Sequence, residues 1–539
     1  MDWNDCGAML HVWSCKVVRD DLKAVLAQRF PQEKIVIDYV PKDKPGDYYT
    51  NLAFRIASRE GEEPMQVAEK IAAQIHSPIL KKVTVQAPAF INFTLKEEYL
   101  LEQLMKATEL DIGHGQSILL EFVSANPTGP INVVSARAAA VGDSLVRMLK
   151  ATGYKAESEY YINDAGRQIE LLTESVRQRM IESQGGKAEI PQNGYHGEYI
   201  KDVARVMITQ GIERNEDIRA HAVEYFVNEH KQVMDEFGVH FDHWMQESTI
   251  HKNDYVDRVL ATLKSKNLIY GEDGATFFKA SEFGDDKDRV IVTSDNRSTY
   301  LLPDIAYHLN KLERKYDLMV DIWGPDHHGR IKGIKGGIQA LGYSPDILKI
   351  LIVQEVKLKK GGHIVSMSKR AGTFETLSEL LENIPKDVVR FFFLMRSSSQ
   401  HLDFDLDLAM KQSDENPVYY VQYAHARIMS IILHARECGI DMVKGADLTL
   451  IREQEELQLV KDIVKFPEKL EDAVRNLEPY MIAYYLIDIA HNFHYFYQKH
   501  RVVSDDKRLT QARLCLIDRA AATIREGLEV LGVSCPDKM

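Results

Sequence analysis

Cysteine is scarce in this chain, with five residues in 539, at positions 6, 15, 438, 515 and 535. An odd and unpatterned set builds neither a disulfide framework nor a zinc site, and it predicts reduced thiols in a cytoplasmic protein. A run of about 18 apolar residues is also missing, so no membrane-spanning helix is expected. The opening stretch, MDWNDCGAML, is acidic and has no long apolar core, which argues against a secretory signal there. Internal repeats and low-complexity linkers are absent too, which predicts closely docked domains. General basicity is lacking: 67 Lys and Arg stand against 80 Asp and Glu, a net charge of −13. Nucleic-acid binding would therefore need local positive charge. One such excess is KLKKGGHIVSMSKR, residues 357–370, which carries Lys357, Lys359, Lys360, Lys369 and Arg370 and no acid. Taken alone it reads equally well as a solvated basic loop.

What is present is the composition of an ordinary globular protein, 45% hydrophobic and 27% charged. The length allows about three domains, each with its own core. Residues 1–110 mix patterns. PMQVAEKIAAQI (64–75) sets Val67, Ile71 and Ile75 on one helical face, and KKVTVQAPAFINFTL (81–95) alternates like strands around a proline. This predicts a small α/β domain. Residues 111–385 read as a doubly wound α/β domain with a parallel sheet. SILLEFVS (117–124), YDLMVDIWG (316–324) and ILKILIVQEV (347–356) are its apolar strands, a helix is expected from Ser135 to Thr152, and Gly153 stops it. The charged, mostly helical stretch 155–290 reads as an insertion. Residues 386–539 predict an all-α helix bundle, from the spacing of Leu486, Ile489, Phe493 and Phe496 and of Ile517, Ala521, Ile524, Leu528 and Leu531. Pro467 is expected to break or kink one of its helices.

Four stretches carry chemistry. In SANPTGP (124–130), Gly129 lets backbone approach a ligand, and the helix that follows offers unpaired N–H groups to an anion. Many helices follow such turns without a ligand. In SMSKR (366–370), Ser368, Lys369 and Arg370 suit a triphosphate, with Gly361 and Gly362 allowing the loop to move. TYLLPDIAYHL (299–309) sets Tyr300 and Asp304 four apart on one face; the plain alternative is a packed tyrosine and a capping aspartate. IWGPDHHG (322–329) crowds polar groups at the end of a strand, where a parallel sheet exposes its crevice. Adjacent His327 and His328 do not form a metal-ligand pattern, and no metal site is expected.

Together these segments resemble class I aminoacyl-tRNA synthetases, and within that class the arginyl-tRNA synthetases of the bacterial type. The turn and opening helix are similar to the HIGH region, and SMSKR to the KMSKS loop. GDYYTNLAFRIA (46–57) and APAFINFTL (87–95) resemble the family's added N-terminal domain, and FGDDKDRVIVTSDNRSTYLLPDIAYHLNKLER (283–314) with DIWGPDHHG (321–329) its catalytic core. KDVVRFFFLMRSSSQHLDFDLD (386–407), ENPVYYVQYAHARI (415–428) and the ending LEVLGVSCPDKM (528–539) resemble its DALR-type anticodon-binding region.

The resemblance implies a Rossmann-like class I catalytic domain between an N-terminal domain for the tRNA elbow and a C-terminal anticodon-binding bundle. It also implies a reaction in two steps. The carboxylate of L-arginine attacks the α-phosphate of ATP, and the arginyl group then passes from the adenylate to the terminal adenosine of tRNA(Arg). ATP with Mg²⁺ is the implied cofactor, and a cytoplasmic monomer the implied state. Arginine would be held by Glu121, Asn126, Tyr300 and Asp304, because a planar cation needs opposed carboxylates and an aromatic face. ATP would lie against Pro127, Gly129, Asn132, Ser135, Gly324, Asp326, His327, Met367, Ser368 and Lys369. Lys369, Ser368, Asn132 and Ser135 would carry catalysis. Phe90, Asn92, Arg501 and Met539 would touch tRNA, with Tyr419, Tyr423, Arg427 and Tyr497 as further candidates.

Two departures stand out. Asn132-Val133-Val134-Ser135 replaces the usual His-x-Gly-His, and Ser366 stands where the loop's first lysine is usual. Asn and Ser still donate hydrogen bonds but carry no positive charge. The sequence is thus read as an active enzyme with altered ATP contacts; the alternative is a degenerate paralogue that binds tRNA without charging it. A nucleotidyltransferase that adenylates another substrate is the reading from a different class.

Overall fold

The computed structural model describes residues 17–41, 43–106, 110–365, 376–443 and 445–539. The loop residues Ser366, Met367, Ser368, Lys369 and Arg370 lie outside them.

The first unit is an antiparallel sheet of Ile37–Tyr39, Tyr48–Thr50, Phe90–Leu95 and Leu80–Gln86, in that spatial order, packed by Val18–Ala27, Leu52–Glu60 and Pro64–Gln74. Val67 and Ile71 are buried as their spacing requires.

The central sheet has five parallel strands: β1 (Ser117–Glu121), β2 (Lys155–Ile162), β3 (His243–Gln246), β4 (Leu318–Trp323) and β5 (Leu348–Ile352). Their spatial order is β5-β4-β1-β2-β3. From β1 the chain crosses to β2 through α1 (Val133–Ala151), while β4 lies on the other side of β1 and is entered through α2 (Leu301–Glu313). Strand order therefore reverses between β1 and β4, and a crevice opens beyond their carboxyl ends. Helix α1 lies close to the sheet because Gly142 has no side chain: a Cβ there would meet the Phe122 ring at 2.3 Å.

The structure redraws three expectations. The stretch 155–290 is not one insertion, because β2 and β3 belong to the central sheet. What is inserted is a helical unit between them (Gly166–Ser183, Tyr199–Gln210 and Asn215–Phe237), then Tyr255–Ser265 and a small antiparallel sheet between β3 and α2. Second, the C-terminal region is not all helix: after the helix Lys386–Leu394 it contributes a strand. Leu402–Asp405 pairs in parallel with Val356–Lys360, which turns at Gly361 and Gly362 to pair with His363–Val365. These glycines have φ of +58° and +82°, so they serve a tight hairpin turn. Third, Pro467 does not break its helix. The helix Gln454–Asn476 runs through it, with Phe466, Pro467 and Leu470 buried. That helix packs on Tyr480–Lys499, Lys507–Val530 and Glu97–Met105, and this burial outweighs the lost backbone bond.

Buried polar contacts dock the parts. The Arg19 backbone N–H donates to Glu468 at 2.7 Å, and its guanidinium pairs with Glu471 and Asp472. Arg137 of α1, fully buried, donates to the carbonyls of Gln354 and Gln400 at 2.8 Å and of Ser397 at 2.9 Å. This fixes α1 against the segments on either side of 356–394.

Candidate active site

Beyond the carboxyl ends of β1 and β4 lies a cavity of about 410 Å³. Glu121, Asn126, Glu247, Tyr300, Asp304 and Arg330 are among its lining residues. Its floor is a charge network under helix α2. Asp304, His308 and Lys311 follow the i, i+4, i+7 spacing and share one helix face. Glu121 and Asp321 sit side by side in the β1–β4 register. Lys311, completely buried, donates to both Glu121 and Asp321, the latter at 2.8 Å. His308 faces Asp321 through Nε2 at 2.9 Å and the Asp304 carbonyl through Nδ1 at 2.7 Å. On β2, Glu159 accepts two bonds from Arg314 and one from the Tyr307 hydroxyl.

The network sorts the acids. Burial drives the carboxyls of Glu121 and Asp321 upward, but Lys311 and His308 overcome this at Asp321 and hold it down to about 2. Glu121 stays raised, by burial and by the neighbouring Asp321. One Glu121 oxygen is taken by Lys311 and the other by the Ser124 hydroxyl at 2.8 Å. Ser124 is aimed there by a left-handed turn in which Val123 has φ +70° and Ser124 φ +43°. A branched residue in that region costs roughly 1–3 kcal/mol, which the surrounding contacts must offset.

Asp304 has no such partner set. Withdrawal from water pushes its pKa up to about 6, against the pull of Arg330 and His308 and with the help of Glu121 and Glu247. Glu247, at the start of the short helix Glu247–Lys252, is a third acid on the cavity wall. Burial raises its pKa, while His251 and Tyr161 oppose the shift. Glu121 is thus tied from below by Lys311 and Ser124, while Asp304 meets Arg330 and Glu247 meets His251, each pair at 3.5 Å. Tyr300, 64% exposed, presents its ring to the same space. Asn126 also lines it and donates to Gln168 at 2.5 Å.

The turn after β1 is fixed from outside. His230 of Asn215–Phe237, fully buried, reaches the Gly129 carbonyl with Nε2 at 2.8 Å and the Tyr160 hydroxyl with Nδ1 at 2.9 Å. Tyr199 lies over Gly129, where a Cβ would meet its ring at 3.2 Å, so the glycine here accommodates a tyrosine. Pro127 is buried. Asn132 is the N-cap of α1, with Oδ1 accepting from the Ser135 N–H at 2.8 Å. Its amide N–H₂ and the Ser135 hydroxyl remain polar groups at the helix start. Thr376, the first described residue after 366–375, bridges Asn132, and the Leu377 N–H donates to the Ile131 carbonyl at 2.8 Å. Thr376 and Leu377 are therefore anchored beside the α1 N-terminus. Gly324 and His327 line the cavity, Asp326 is exposed on the adjoining turn, and the space above Gly324 is open. Among the described residues no group of three or more His, Cys, Asp or Glu could hold a metal ion.

The remaining candidates lie far along the chain. Phe90 is half-buried, its ring 5.1 Å from Tyr49 and 5.3 Å from Phe54. Asn92 is buried, with its amide nitrogen donating to the Pro45 carbonyl and to Gln86, both at 2.9 Å. Arg427, Tyr497 and Arg501 line a separate cavity of about 630 Å³, with the Arg427 guanidinium 5.0 Å from the Tyr497 ring centroid. Tyr419 is half-buried, while Tyr423 and Met539 are exposed.

Sequence reasoning missed Glu247, His308, Lys311, Asp321, Arg330 and His230. A signal existed for two of them, since His308 and Lys311 continue the helical face begun by Asp304. An aspartate inside LMVDIW was a third hint.

Comparison with known proteins matches the whole arrangement. The "Arginyl tRNA synthetase N terminal domain" matches residues 16–95, "tRNA synthetases class I (R), catalytic domain" residues 98–391, and "DALR anticodon binding domain" residues 421–539. An arginine–tRNA ligase of Listeria welshimeri is 43% identical over 520 residues, 93% of this chain and 94% of the relative. One of Bacillus licheniformis is 41% identical over 538 residues, 96% of this chain and 97% of the relative. The solved arginyl-tRNA synthetase of Thermus thermophilus shares the fold with a TM-score of 0.79 at 22% identity, covering 97% of this chain and all of that one. With three domains matched in order around an acidic cavity at the class I switch point, the chain belongs to the arginyl-tRNA synthetase family.

Proposed function

We propose that this protein is an arginine–tRNA ligase, which activates L-arginine with ATP and transfers it to the 3′-terminal adenosine of tRNA(Arg). The observation that carries the reading is the acid-walled cavity at the β1–β4 crevice. A guanidinium has five donors in a fixed plane, and Asp304 and Glu247 supply acceptors while Tyr300 supplies a ring face. Glu121, held by Lys311 and Ser124, and Asn126 shape the end of the cavity nearer the β1 turn. A lysine substrate would leave these acceptors partly unpaired, which is the stronger basis for rejecting it.

ATP is assigned to the crevice between the start of α1 and the turn at Gly324–His327, with Asn132 and Ser135 as neutral donors. Met367, Ser368 and Lys369, which follow the strand His363–Val365, are assigned to the triphosphate. Mg²⁺ would travel with the phosphates and neutralise part of their charge. Both steps depend on positioning and on stabilising developing charge. Phe90 and Asn92 are assigned to the tRNA elbow. Arg501 and Met539 are assigned to tRNA contacts of the helical bundle, with the Arg427–Tyr497 cavity as the place to seek a stacked base. The protein is proposed to act as a monomer in the cytoplasm.

The test is arginylation of tRNA(Arg) by the purified chain, with pyrophosphate exchange measured in the presence of that tRNA. Turnover with arginine and not with the other amino acids is expected, and Lys369→Ala should lower it by about 10²-fold or more. Turnover no higher than that of the Lys369→Ala variant would overturn the proposal.

The pH dependence follows from Asp304. Its pKa of about 6 means the carboxylate is present above that pH and neutralised below it. A guanidinium needs the ionised form. The value of kcat/KM for arginine should therefore fall as pH drops through about 6 in the free enzyme, while KM for ATP follows a different profile.

A further inference from the structure

One side chain already occupies the place assigned to the substrate. Arg330 follows the turn after β4 and lines the same cavity. Its guanidinium carbon lies 5.1 Å from the Tyr300 ring centroid, and Nη1 is 3.5 Å from Asp304 Oδ2. A guanidinium over that ring and beside that carboxylate is what the subsite is built to recognise. We infer that Arg330 is an internal occupant of the guanidinium subsite, and that L-arginine binds by displacing it. The inference rests on the reading of Tyr300 and Asp304 as that subsite.

The geometry makes the occupant displaceable. The ion pair is single and longer than the roughly 2.7–2.9 Å of a charge-assisted bond. The Arg330 and Asp304 side chains keep 38% and 28% of their exposure, so water weakens their attraction. A free arginine can add a second acceptor, Glu247, and a closer fork. Arg330 therefore does not block the site; it sets a threshold. While the cavity is free of substrate it keeps Asp304 paired and favours its ionised form.

A tethered competitor reduces the apparent affinity of every ligand for that subsite by the same factor. This yields a sharp test on the full-length protein by titration calorimetry with L-arginine, agmatine and ATP. Arg330→Ala should tighten L-arginine and agmatine equally, by about three- to ten-fold, and leave ATP unchanged. The acid limb of arginine binding should also move to higher pH, because Arg330 no longer lowers the Asp304 pKa. Arg330→Lys, which keeps charge but loses the planar fork, should fall between the two. Unchanged or weaker L-arginine binding in Arg330→Ala would overturn the inference. So would weakening of L-arginine alone with agmatine unaffected, which would mark Arg330 as a ligand for the substrate carboxylate. If Asp304→Asn leaves arginine binding intact, the subsite reading itself fails, and this distinguishes its failure from that of the Arg330 inference alone.

Discussion

Asp304→Asn should lower kcat/KM for L-arginine by about 10²- to 10³-fold, with KM for ATP little changed. The substitution keeps shape and volume, so the cavity survives and only the charge is lost. Removing one partner of a desolvated, hydrogen-bonded charge pair costs about 2–5 kcal/mol, and each 1.4 kcal/mol is tenfold. Glu247 and Glu121 remain nearby and preserve part of the negative potential, which sets the estimate below the top of that range. The loss should fall mainly on arginine binding, since the guanidinium is held alike before and during the reaction. Steady-state pyrophosphate exchange over a wide range of arginine concentrations measures it. A change smaller than about threefold would remove Asp304 from the guanidinium subsite.

Lys311→Met should produce a large loss of stability, about 3–5 kcal/mol, because it removes the buried cation that two carboxylates share. Glu121 and Asp321 lie in register across adjacent strands, and Lys311 donates to both. Methionine fills much of the volume but offers neither charge nor donor. The chain has several domains, so the catalytic unit should melt separately, on the order of 10 °C lower by scanning calorimetry. The mechanism predicts a pH signature. Without the ammonium the Glu121 carboxyl, already raised in the parent, rises further above its unfolded value. That group destabilises the fold while ionised and is relieved as pH falls through its folded pKa. The gap between variant and parent should therefore narrow in acid. Adding Glu121→Gln to Lys311→Met should recover part of the stability at neutral pH. A gap independent of pH would mean that packing, and not charge, explains the loss.

Much of this was legible in the sequence because it is local. The strand SILLE, the helix after NPTGP and the amphipathic helices of the bundle follow from periodicity and turn chemistry, and the structure forms them within a few residues. Tyr300 and Asp304 were legible as a pair because helical spacing places them on one face. Other features depended on partners far away in the chain. Glu121 reads as an acid at the end of an apolar strand, but Lys311, 190 residues later, makes it a tied carboxylate. Gly129 reads as room for a nucleotide, whereas Tyr199 and His230 use that room to pin the turn. Pro467 reads as a break, and burial on several sides carries the helix through it.

By itself the sequence determined the order of the domains and most of the strands and helices of each. These depend on near neighbours and on the periods of helix and strand. Only the tertiary structure decided which group each acid meets, that Glu247 lies on the same cavity wall as Asp304, and that Arg330 stands in the cavity. The reason is electrostatic. A buried charge takes its state from whatever groups lie within a few ångströms, and for Glu121 and Glu159 the groups that matter include side chains more than a hundred residues away.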